Sequence, residues 1–417
     1  MPARGGCVHT LAPSPLAFCR ADAKAARHYG TDGVTPEDAT GDKPHPALLP
    51  AGLRDLLPPE AETEAGAVEA LMAAFSAHGY QRVKPPLLEF EDTLFAGAGA
   101  AMAEQTFRLL DPDTRRMMGV RADMTPQVAR IATTRLAGAA RPLRLSYAGQ
   151  CLRQGSDARE PERQIAQAGI ELIGADSPEA DAEVVAVAAE ALASLGVTRT
   201  SFDLTHPPLI PALLEESGIS STALARALDR KDAAAVARHA GTLAGTLTEL
   251  LLAAGPAARA LAALAAAPLT TRAREHADRL AATVAAIEAR APGLVLTVDP
   301  VEFRGLRYHT GVSVTIYAPG RVEELGRGGR YLCGEAEPAT GITLYPDSVL
   351  RAAPARPARA RLYVPHGMDG AAQRAAGFAT VAGLAPVADQ AAEARRLGCG
   401  YVLGADGKPV LLEQRHG

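Results

Sequence analysis

In the N-terminal half of this chain, the hydrophobic and polar positions predict a helix followed by antiparallel strands. Apolar residues recur at helical spacing from Ala67 to Phe75, and Gly79 is a plausible C-terminal cap for that helix. Beyond it, short segments of alternating apolar and polar residues flank polar, turn-forming connections. Paired in chain order, these segments predict two hairpins, 106–110 with 116–125 and 143–153 with 164–173.

The second half changes to a helical pattern and then returns to strands. An Ala-rich amphipathic helix is predicted over 178–195 and a strand near 200–205, and the next 80 or so residues read as helices. Alternation then resumes in three further segments, 294–298, 310–317 and 322–328. We therefore predict an α+β fold, an antiparallel sheet flanked by helices, with a helical insertion at about 206–290.

The two ends differ in composition from this core. The N-terminal segment mixes Gly, Pro, Asp and Thr without periodicity, so we expect a disordered leader rather than an organelle transit peptide. After an Ala/Pro/Arg linker, the C-terminal extension has a short β-α-β pattern with its helix near 385–396. The predicted leader, core, linker and extension are residues 1–43, 44–350, 351–360 and 361–417.

Composition narrows the function classes. The formal charge of −4, from 43 basic and 47 acidic residues, argues against a protein that mainly binds nucleic acid. No apolar run reaches the roughly 18 to 20 residues that a membrane span needs. The five cysteines form no CxxC pair and no zinc-binding spacing, which indicates a reducing, cytoplasmic compartment. We expect no metal, no cofactor, no nucleic acid and no membrane partner.

Two predicted strands carry polar residues on one face. In the strand 116–125, alternation groups Arg121, Asp123 and Thr125, which makes either a polar ligand wall or a solvated face. In the strand 164–173 the shared face holds two polar residues, Gln167 and Glu171, with Gly169 between them. A missing side chain there indicates close approach by a ligand or another backbone, or else a bulge.

Two glycine-containing segments are also candidate parts of a functional site. Residues 304–311 cluster hydrogen-bond donors between glycines and lead into an alternating strand. Residues 326–331 have a glycine spacing found in nucleotide-binding loops, but no helical pattern follows them. We therefore predict that 326–331 forms a tight turn that closes the sheet.

Taken in order, these segments resemble the catalytic core of class II histidyl-tRNA synthetases over about residues 46–350. The resemblance places Pro86 and Leu87 in motif 1, at a dimer interface. It also implies a pocket for histidine. In that pocket Asp123 and Thr125 would bind the ammonium group of the ligand, Arg304 its carboxylate, and Glu171 with Tyr308 or Tyr331 its imidazole ring. The full set that it implies is Asp123, Thr125, Arg153, Gln167, Glu171, Arg304, Tyr308, His309 and Tyr331.

Several residues depart from the synthetase pattern, and these departures argue against an active synthetase. Gly155 replaces the glutamate of motif 2, and Ser348 stands where motif 3 has its ATP-stacking arginine. Pro346 is expected to interrupt the motif 3 helix. The roughly 55 residues after the linker are too few for a full anticodon-binding domain. At the imidazole end, His309 replaces a tyrosine and Arg307 an acid. We therefore predict no catalytic residues.

The same combination is typical of the histidyl-tRNA synthetase-like regulatory subunits of ATP phosphoribosyltransferase, which this chain resembles most. That resemblance implies a non-catalytic subunit that binds L-histidine and forms a homodimer within a hetero-oligomer with the short-form catalytic subunit. It also implies allosteric feedback inhibition of the first step of histidine biosynthesis. The alternatives are a divergent, active histidyl-tRNA synthetase and a stand-alone binding protein, such as a sensor of uncharged tRNA.

Overall fold

The computed structural model describes residues 47–155, 162–302, 308–334, 336–355 and 357–413. The predicted leader, Arg304 and Arg307 therefore lie outside the described residues. The chain divides after Pro50 into two compact units, and every described helix and strand belongs to the second. None of the described helices is long and apolar enough to cross a membrane.

Sixteen strands are assigned within the described residues. They are β1 (Gln81–Arg82), β2 (Leu88–Phe90), β3 (Arg108–Leu110), β4 (Met117–Val120), β5 (Leu143–Leu152), β6 (Gln164–Ile173), β7 (Ser201–Thr205), β8 (Gly255–Pro256), β9 (Val295–Asp299), β10 (His309–Tyr317), β11 (Gly326–Cys333), β12 (Glu337–Leu344), β13 (Arg361–Val364), β14 (Ala379–Ala382), β15 (Tyr401–Leu403) and β16 (Pro409–Leu411).

Thirteen α-helices accompany them in the same part of the chain, with 3-10 segments at Gly97–Gln105 and Gly241–Leu243. They are α1 (Glu60–Ala77), α2 (Glu91–Leu94), α3 (Thr125–Thr133), α4 (Pro178–Ser194), α5 (Leu209–Glu216), α6 (Thr222–Asp229), α7 (Ala233–His239), α8 (Ala244–Ala253), α9 (Ala257–Ala266), α10 (Thr271–Arg290), α11 (Pro346–Ala352), α12 (Ala371–Ala375) and α13 (Gln390–Arg396).

A nine-stranded sheet in the order β1-β5-β6-β12-β11-β10-β7-β9-β8 forms the centre of the fold. Its pairings are antiparallel except β1 with β5 and β7 with β9, which are parallel. The α+β class and both predicted hairpins, β3-β4 and β5-β6, are confirmed. The sheet is therefore mixed at its two flanks rather than antiparallel throughout.

Helices α1 and α4 bury their apolar faces against each other and against the strands of this sheet. Leu71 and Phe75 of α1 are fully buried, and α1 ends before Gly79, whose φ of 80° is the left-handed conformation that a C-terminal cap needs. Burial of such side chains contributes roughly 1.5 to 3 kcal/mol each. This packing places β5, β6 and β12 beneath the site described below.

Six helices, α5 to α10, and the two-residue strand β8 lie between β7 and β9. Helix α10 packs against α4 and α5, so this helical block shares the apolar core of the sheet. It occupies the segment in which helices were predicted. The division of the chain into domains stays a prediction.

The C-terminal extension forms a separate four-stranded sheet in the order β14-β13-β15-β16. Its central strand, β13, is parallel to both β14 and β15, as the predicted β-α-β pattern requires. The sequence pattern did not predict α12, β14 or β16, and the helix expected near 385–396 begins only at Gln390, as α13.

Two local predictions are wrong. The segment 326–331 lies inside strand β11, which begins at Gly326 rather than at 322, and it is not a turn. Its glycines serve close packing, because a Cβ on Gly328 would overlap the Gly341 carbonyl oxygen of β12. Pro346 also does not interrupt a helix: it occupies the first turn of α11, where no intrahelical N–H is required.

Candidate functional site

A cavity of about 540 Å³ opens beside the nine-stranded sheet. It is bounded by β6, β11, β12, the start of α3 and the end of the 3-10 segment Gly97–Gln105. Of the predicted histidine-binding residues that the structure describes, all but Gln167 line it. Its lining side chains and glycines are Met102, Gln105, Asp123, Thr125, Pro126, Arg153, Gln154, Gly155, Glu162, Glu171, Tyr308, His309, Arg327, Gly328, Gly329, Tyr331, Gly341, Thr343 and Tyr345.

Glu171 of β6 supplies a carboxyl group that is 1% exposed. Its Oε1 accepts hydrogen bonds from Thr125 Oγ1 at 2.9 Å and Tyr147 OH at 3.2 Å, and its Oε2 accepts one from Tyr331 OH at 2.9 Å. Burial raises the pKa of Glu171 to about 8, although these hydroxyl donors act in the opposite direction. Near neutral pH the protonated form of this carboxyl group is therefore favoured.

Gly341 makes room for this carboxyl group. It is the cross-strand partner of Glu171 in the β6-β12 pair, and a Cβ at this position would overlap Glu171 Oε2. The glutamate side chain consequently lies across the neighbouring strand. The sequence alone does not show that Gly341 lies opposite Glu171, because that pairing depends on the register of the two strands.

Asp123 and Thr125 meet at the start of α3. Asp123 Oδ1 accepts a hydrogen bond from the Thr125 backbone N–H at 2.9 Å, and Pro126 occupies the first turn of the helix. This Asp-x-Thr-Pro sequence is a helix-start signal. It directs both side chains toward the cavity, where Thr125 reaches Glu171.

The prediction that Arg121, Asp123 and Thr125 share one strand face is wrong in its geometry. Strand β4 ends at Val120, and the helix-start sequence that follows replaces extended structure. Arg121 is 8% exposed and points away from the cavity, where it donates to the carbonyl oxygens of Gln150 and Pro85. Arg121 is therefore a structural residue, while the other two line the site.

Gln167 is fully buried behind Asp123. Its Nε2 donates to Asp123 Oδ2 at 2.8 Å, and its Oε1 accepts from the Met124 backbone N–H at 3.1 Å. Cys151 Sγ also lies 3.3 Å from that oxygen. Gln167 thus orients the Asp123 carboxylate, and its direct contact with a ligand stays a prediction.

Arg153 adds a cation to the same wall. Its Nε donates to the Ala122 carbonyl oxygen at 3.2 Å, and its Nη2 lies 3.8 Å from Asp123 Oδ2. Gly155 lines the cavity nearby, where a motif 2 glutamate is expected in synthetases. Ser348 is instead on α11 and receives a hydrogen bond from Arg351.

Aromatic residues form the opposite wall. His309 is buried and is the cross-strand partner of Tyr331, and its ring centroid lies 4.0 Å from that of Tyr308. Gly329 has a φ of 145°, and a Cβ there would come within 2.9 Å of His309 Cδ2. Gly329 therefore leaves the space that His309 occupies in this wall.

Sequence reasoning missed several residues of this site, among them Arg327, Tyr345, Thr343 and Tyr147. Arg327 donates from Nε to Tyr345 OH at 2.9 Å, and both line the cavity. The electrostatic effect of Tyr345 raises the pKa of Arg327, so this side chain stays charged. Thr343 lines the cavity and Tyr147 lies beneath it, 2.8 Å apart at their hydroxyl oxygens. Within the described ranges, no group of three or more His, Cys, Asp or Glu side chains is arranged to hold a metal ion.

The predicted interface residues lie on a different surface. Pro86 and Leu87 are exposed, with Leu87 at 53%. Next to them, Glu89 accepts two hydrogen bonds from Arg130, which tie this segment to α3. The register of the three-stranded sheet β2-β4-β3 aligns half-buried apolar residues on one face, namely Leu88, Phe90, Met118 and Val120.

Comparisons with known proteins identify the family of this chain. The family model for histidyl-tRNA synthetase matches residues 52–349. The ATP phosphoribosyltransferase regulatory subunit of Gluconobacter oxydans (strain 621H) is 55% identical over 366 residues, which cover 86% of this chain and 96% of that protein. The protein of the same name from Paramagnetospirillum magneticum (strain ATCC 700264 / AMB-1) is 56% identical over 367 residues, covering 87% and 97%.

A solved structure shows the same fold. The crystal structure of an ATP phosphoribosyltransferase regulatory subunit/histidyl-tRNA synthetase from Bacillus halodurans C has a TM-score of 0.73 and 25% identity. The match covers 85% of this chain and 97% of that one.

Proposed function

This chain belongs to the histidyl-tRNA synthetase-like family of ATP phosphoribosyltransferase regulatory subunits, and on that premise we propose that it binds free L-histidine and relays feedback inhibition to a short-form catalytic subunit. As a member of this family it is a regulatory subunit in histidine biosynthesis and is not itself the catalytic enzyme. The histidine, the short-form partner and the feedback are the parts that we propose.

The histidine proposal rests on one observation: a single threonine, Thr125, is hydrogen-bonded to both the buried carboxyl group of Glu171 and the half-buried carboxylate of Asp123. Thr125 donates one hydrogen bond from its backbone N–H to Asp123 and another from its hydroxyl group to Glu171. An amino acid with a cationic ammonium and a polar ring matches this pair. We propose that Asp123 and Thr125 take the ammonium and that Glu171, with Tyr331, takes an imidazole nitrogen.

The chemistry of Glu171 supports an imidazole ligand over an apolar ring. A carboxyl group that has lost its water gains most from a ligand that offers a charge-assisted hydrogen bond. The imidazole of histidine offers a ring N–H to a carboxylate or a bare nitrogen to a carboxylic acid, and the phenyl ring of phenylalanine offers neither. Tyr308 and His309 would pack against the ring, and Arg304 is proposed for the ligand carboxylate.

Regulation requires a further condition. Histidine changes the activity of a partner only if it binds two states of the complex with different affinity. The cavity lies between α3 and the strands β6, β11 and β12, so a ligand there contacts several independent elements at once. That arrangement supports a role in which ligand binding is transmitted to the surface that meets the catalytic subunit.

We also propose that the chain forms a homodimer through Pro86 and Leu87 within the larger hetero-oligomer. The exposed leucine and the adjoining apolar sheet face support an interface there, because such surfaces are normally covered in the assembled protein.

Calorimetric titration tests the histidine proposal. We expect histidine to bind the wild type, and Glu171→Ala to weaken binding by about 10- to 150-fold, the effect of losing one buried charge-assisted contact worth roughly 1.5 to 3 kcal/mol. Glu62→Ala, an exposed substitution on α1, is the control variant, and phenylalanine is the control ligand. Equal affinity in wild type and Glu171→Ala would move the site elsewhere.

A further inference from the structure

Tyr147 of β5 connects three walls of the cavity without lining it. The residue is fully buried, and its hydroxyl oxygen lies 3.2 Å from Thr125 Oγ1, 3.2 Å from Glu171 Oε1 and 2.8 Å from Thr343 Oγ1. These three partners belong to α3, β6 and β12, and each of them lines the cavity. One hydroxyl group therefore touches three elements of the site from behind.

The backbone register provides the space for this tyrosine. Gly169 is the cross-strand partner of Tyr147, and a Cβ on Gly169 would lie 2.5 Å from both Cζ and OH of that ring. The ring thus passes over the neighbouring strand, just as Glu171 passes over Gly341 one strand further along. Two glycines on adjacent strands together allow Tyr147 and Glu171 to meet.

The direction of the hydrogen bonds follows from ionisation. Burial holds the pKa of Tyr147 well above its ordinary value, so the hydroxyl keeps its single hydrogen. A neutral tyrosine that donates to Glu171 Oε1 must accept from Thr343. The chain of donors then runs from Thr343 to Tyr147 to Glu171, and Thr125 donates to the same carboxyl oxygen.

We infer that Tyr147 is a positioning residue of the site: its hydroxyl fixes the Glu171 carboxyl group in the orientation that a bound amino acid requires. The identity of that amino acid rests on the proposed function, whereas the positioning of Glu171 does not. A ring that only filled space beneath the sheet would act equally well without its hydroxyl group.

Tyr147→Phe separates these two roles, because it keeps the ring and removes one oxygen. The Tyr147 hydrogen bond is among those that lower the pKa of Glu171, so its loss raises the pH at which this carboxyl group titrates. We also expect the affinity for histidine to fall about 10-fold. Tyr363→Phe, a fully buried tyrosine of β13 in the C-terminal sheet, is the matched control and should change neither quantity.

Two measurements on the full-length chain test the inference. The first is the infrared carboxyl band of Glu171, assigned by its absence in Glu171→Gln and followed against pH; the second is calorimetric titration with L-histidine. A higher titration pH with weaker binding in Tyr147→Phe supports the inference. An unchanged titration pH and an unchanged affinity would overturn it.

The outcomes separate this inference from the proposed function. A shifted carboxyl titration in a protein that binds no histidine would reject histidine as the ligand and still support Tyr147 as the residue that positions Glu171. If Tyr147→Phe fails to fold, Thr343→Val removes the donor to Tyr147 instead and should move both quantities in the same direction. No change in Thr343→Val would then overturn the inference.

Discussion

Glu171 takes its hydrogen bonds from three hydroxyl groups, those of Thr125, Tyr147 and Tyr331. Hydroxyl donors offset only part of the cost of burying a carboxylate, which is why burial still raises the pKa of this residue to about 8. The pocket thus contains a poorly solvated carboxyl group whose pKa lies well above its ordinary value.

This acid predicts a pH dependence of folding stability. The folded pKa of about 8 lies above the ordinary value of 4.5, so the folded state holds a proton that the unfolded state has released between these values. The stabilisation is fully present below pH 4.5 and is lost as the pH rises through 8, at roughly 1.4 kcal/mol per pH unit.

Glu171→Gln removes this titration, and urea denaturation of both proteins from pH 5 to 9 measures the effect. Relative to the glutamine variant, the wild type should lose a few kcal/mol over that range, with the loss ending near pH 8. Parallel stability curves for the two proteins would show that Glu171 is ionised in the folded state throughout.

At the scale of elements, the local patterns that predicted the fold were those with a clear period. Helix α1 with its cap at Gly79 and the β5-β6 hairpin follow from residues close together in sequence. The errors have a different origin. Helix initiation at Asp123 and Thr125 replaced a continuing strand, and the glycines of β11 serve contacts with β12 and His309, which no local pattern contains.

The candidate site was likewise predicted only in part. Asp123, Thr125 and Glu171 were predicted as ligands from local motifs and a family resemblance, and the fold brings them together around one cavity. Tyr147 and Thr343 were not predicted, because they join the site only through the register of β5, β6 and β12. Residues distant in sequence become neighbours by strand pairing, and single-strand periodicity carries no information about that register.

A buried ion pair between Arg330 and Asp181 joins β11 to α4, and we predict that it stabilises the fold. Arg330 donates to Asp181 at 2.9 and 3.2 Å and also to the carbonyl oxygens of Ala175 and Ser177, and both charged side chains are about 5% exposed. Arg330→Met leaves a buried carboxylate without this partner and should destabilise the protein by about 3 to 5 kcal/mol in urea denaturation.

The control for that substitution is Arg396→Met, which breaks an exposed pair with Glu393 on α13 and should change little. The double variant Arg330→Met with Asp181→Leu should recover much of the lost stability, because both charges are then removed from the core. A loss of less than about 1 kcal/mol in the single variant would mean that Arg330 does not compensate Asp181.

At the scale of the whole molecule, the exposed Leu87 belongs to the proposed two-fold interface. A symmetric contact presents each substitution twice, so Leu87→Glu would bury two unpaired charges and cost several kcal/mol of association energy. Light scattering at micromolar concentration should therefore give a dimer for the wild type and a monomer for Leu87→Glu.

Leu384→Glu is the matched control, since Leu384 is 93% exposed in the C-terminal extension and should leave the dimer intact. A monomeric wild type would contradict the dimer, and a Leu87→Glu variant that stays dimeric would assign the interface to another face.

We propose that this chain confers histidine sensitivity on a short-form ATP phosphoribosyltransferase catalytic subunit. The direct test is the rate of that subunit measured alone, with this chain, and with this chain over a range of L-histidine concentrations. We predict that the chain raises the rate, that histidine lowers it again, and that Glu171→Ala raises the inhibitory histidine concentration at least 10-fold. A rate that responds neither to the chain nor to histidine in its presence would contradict this regulatory role.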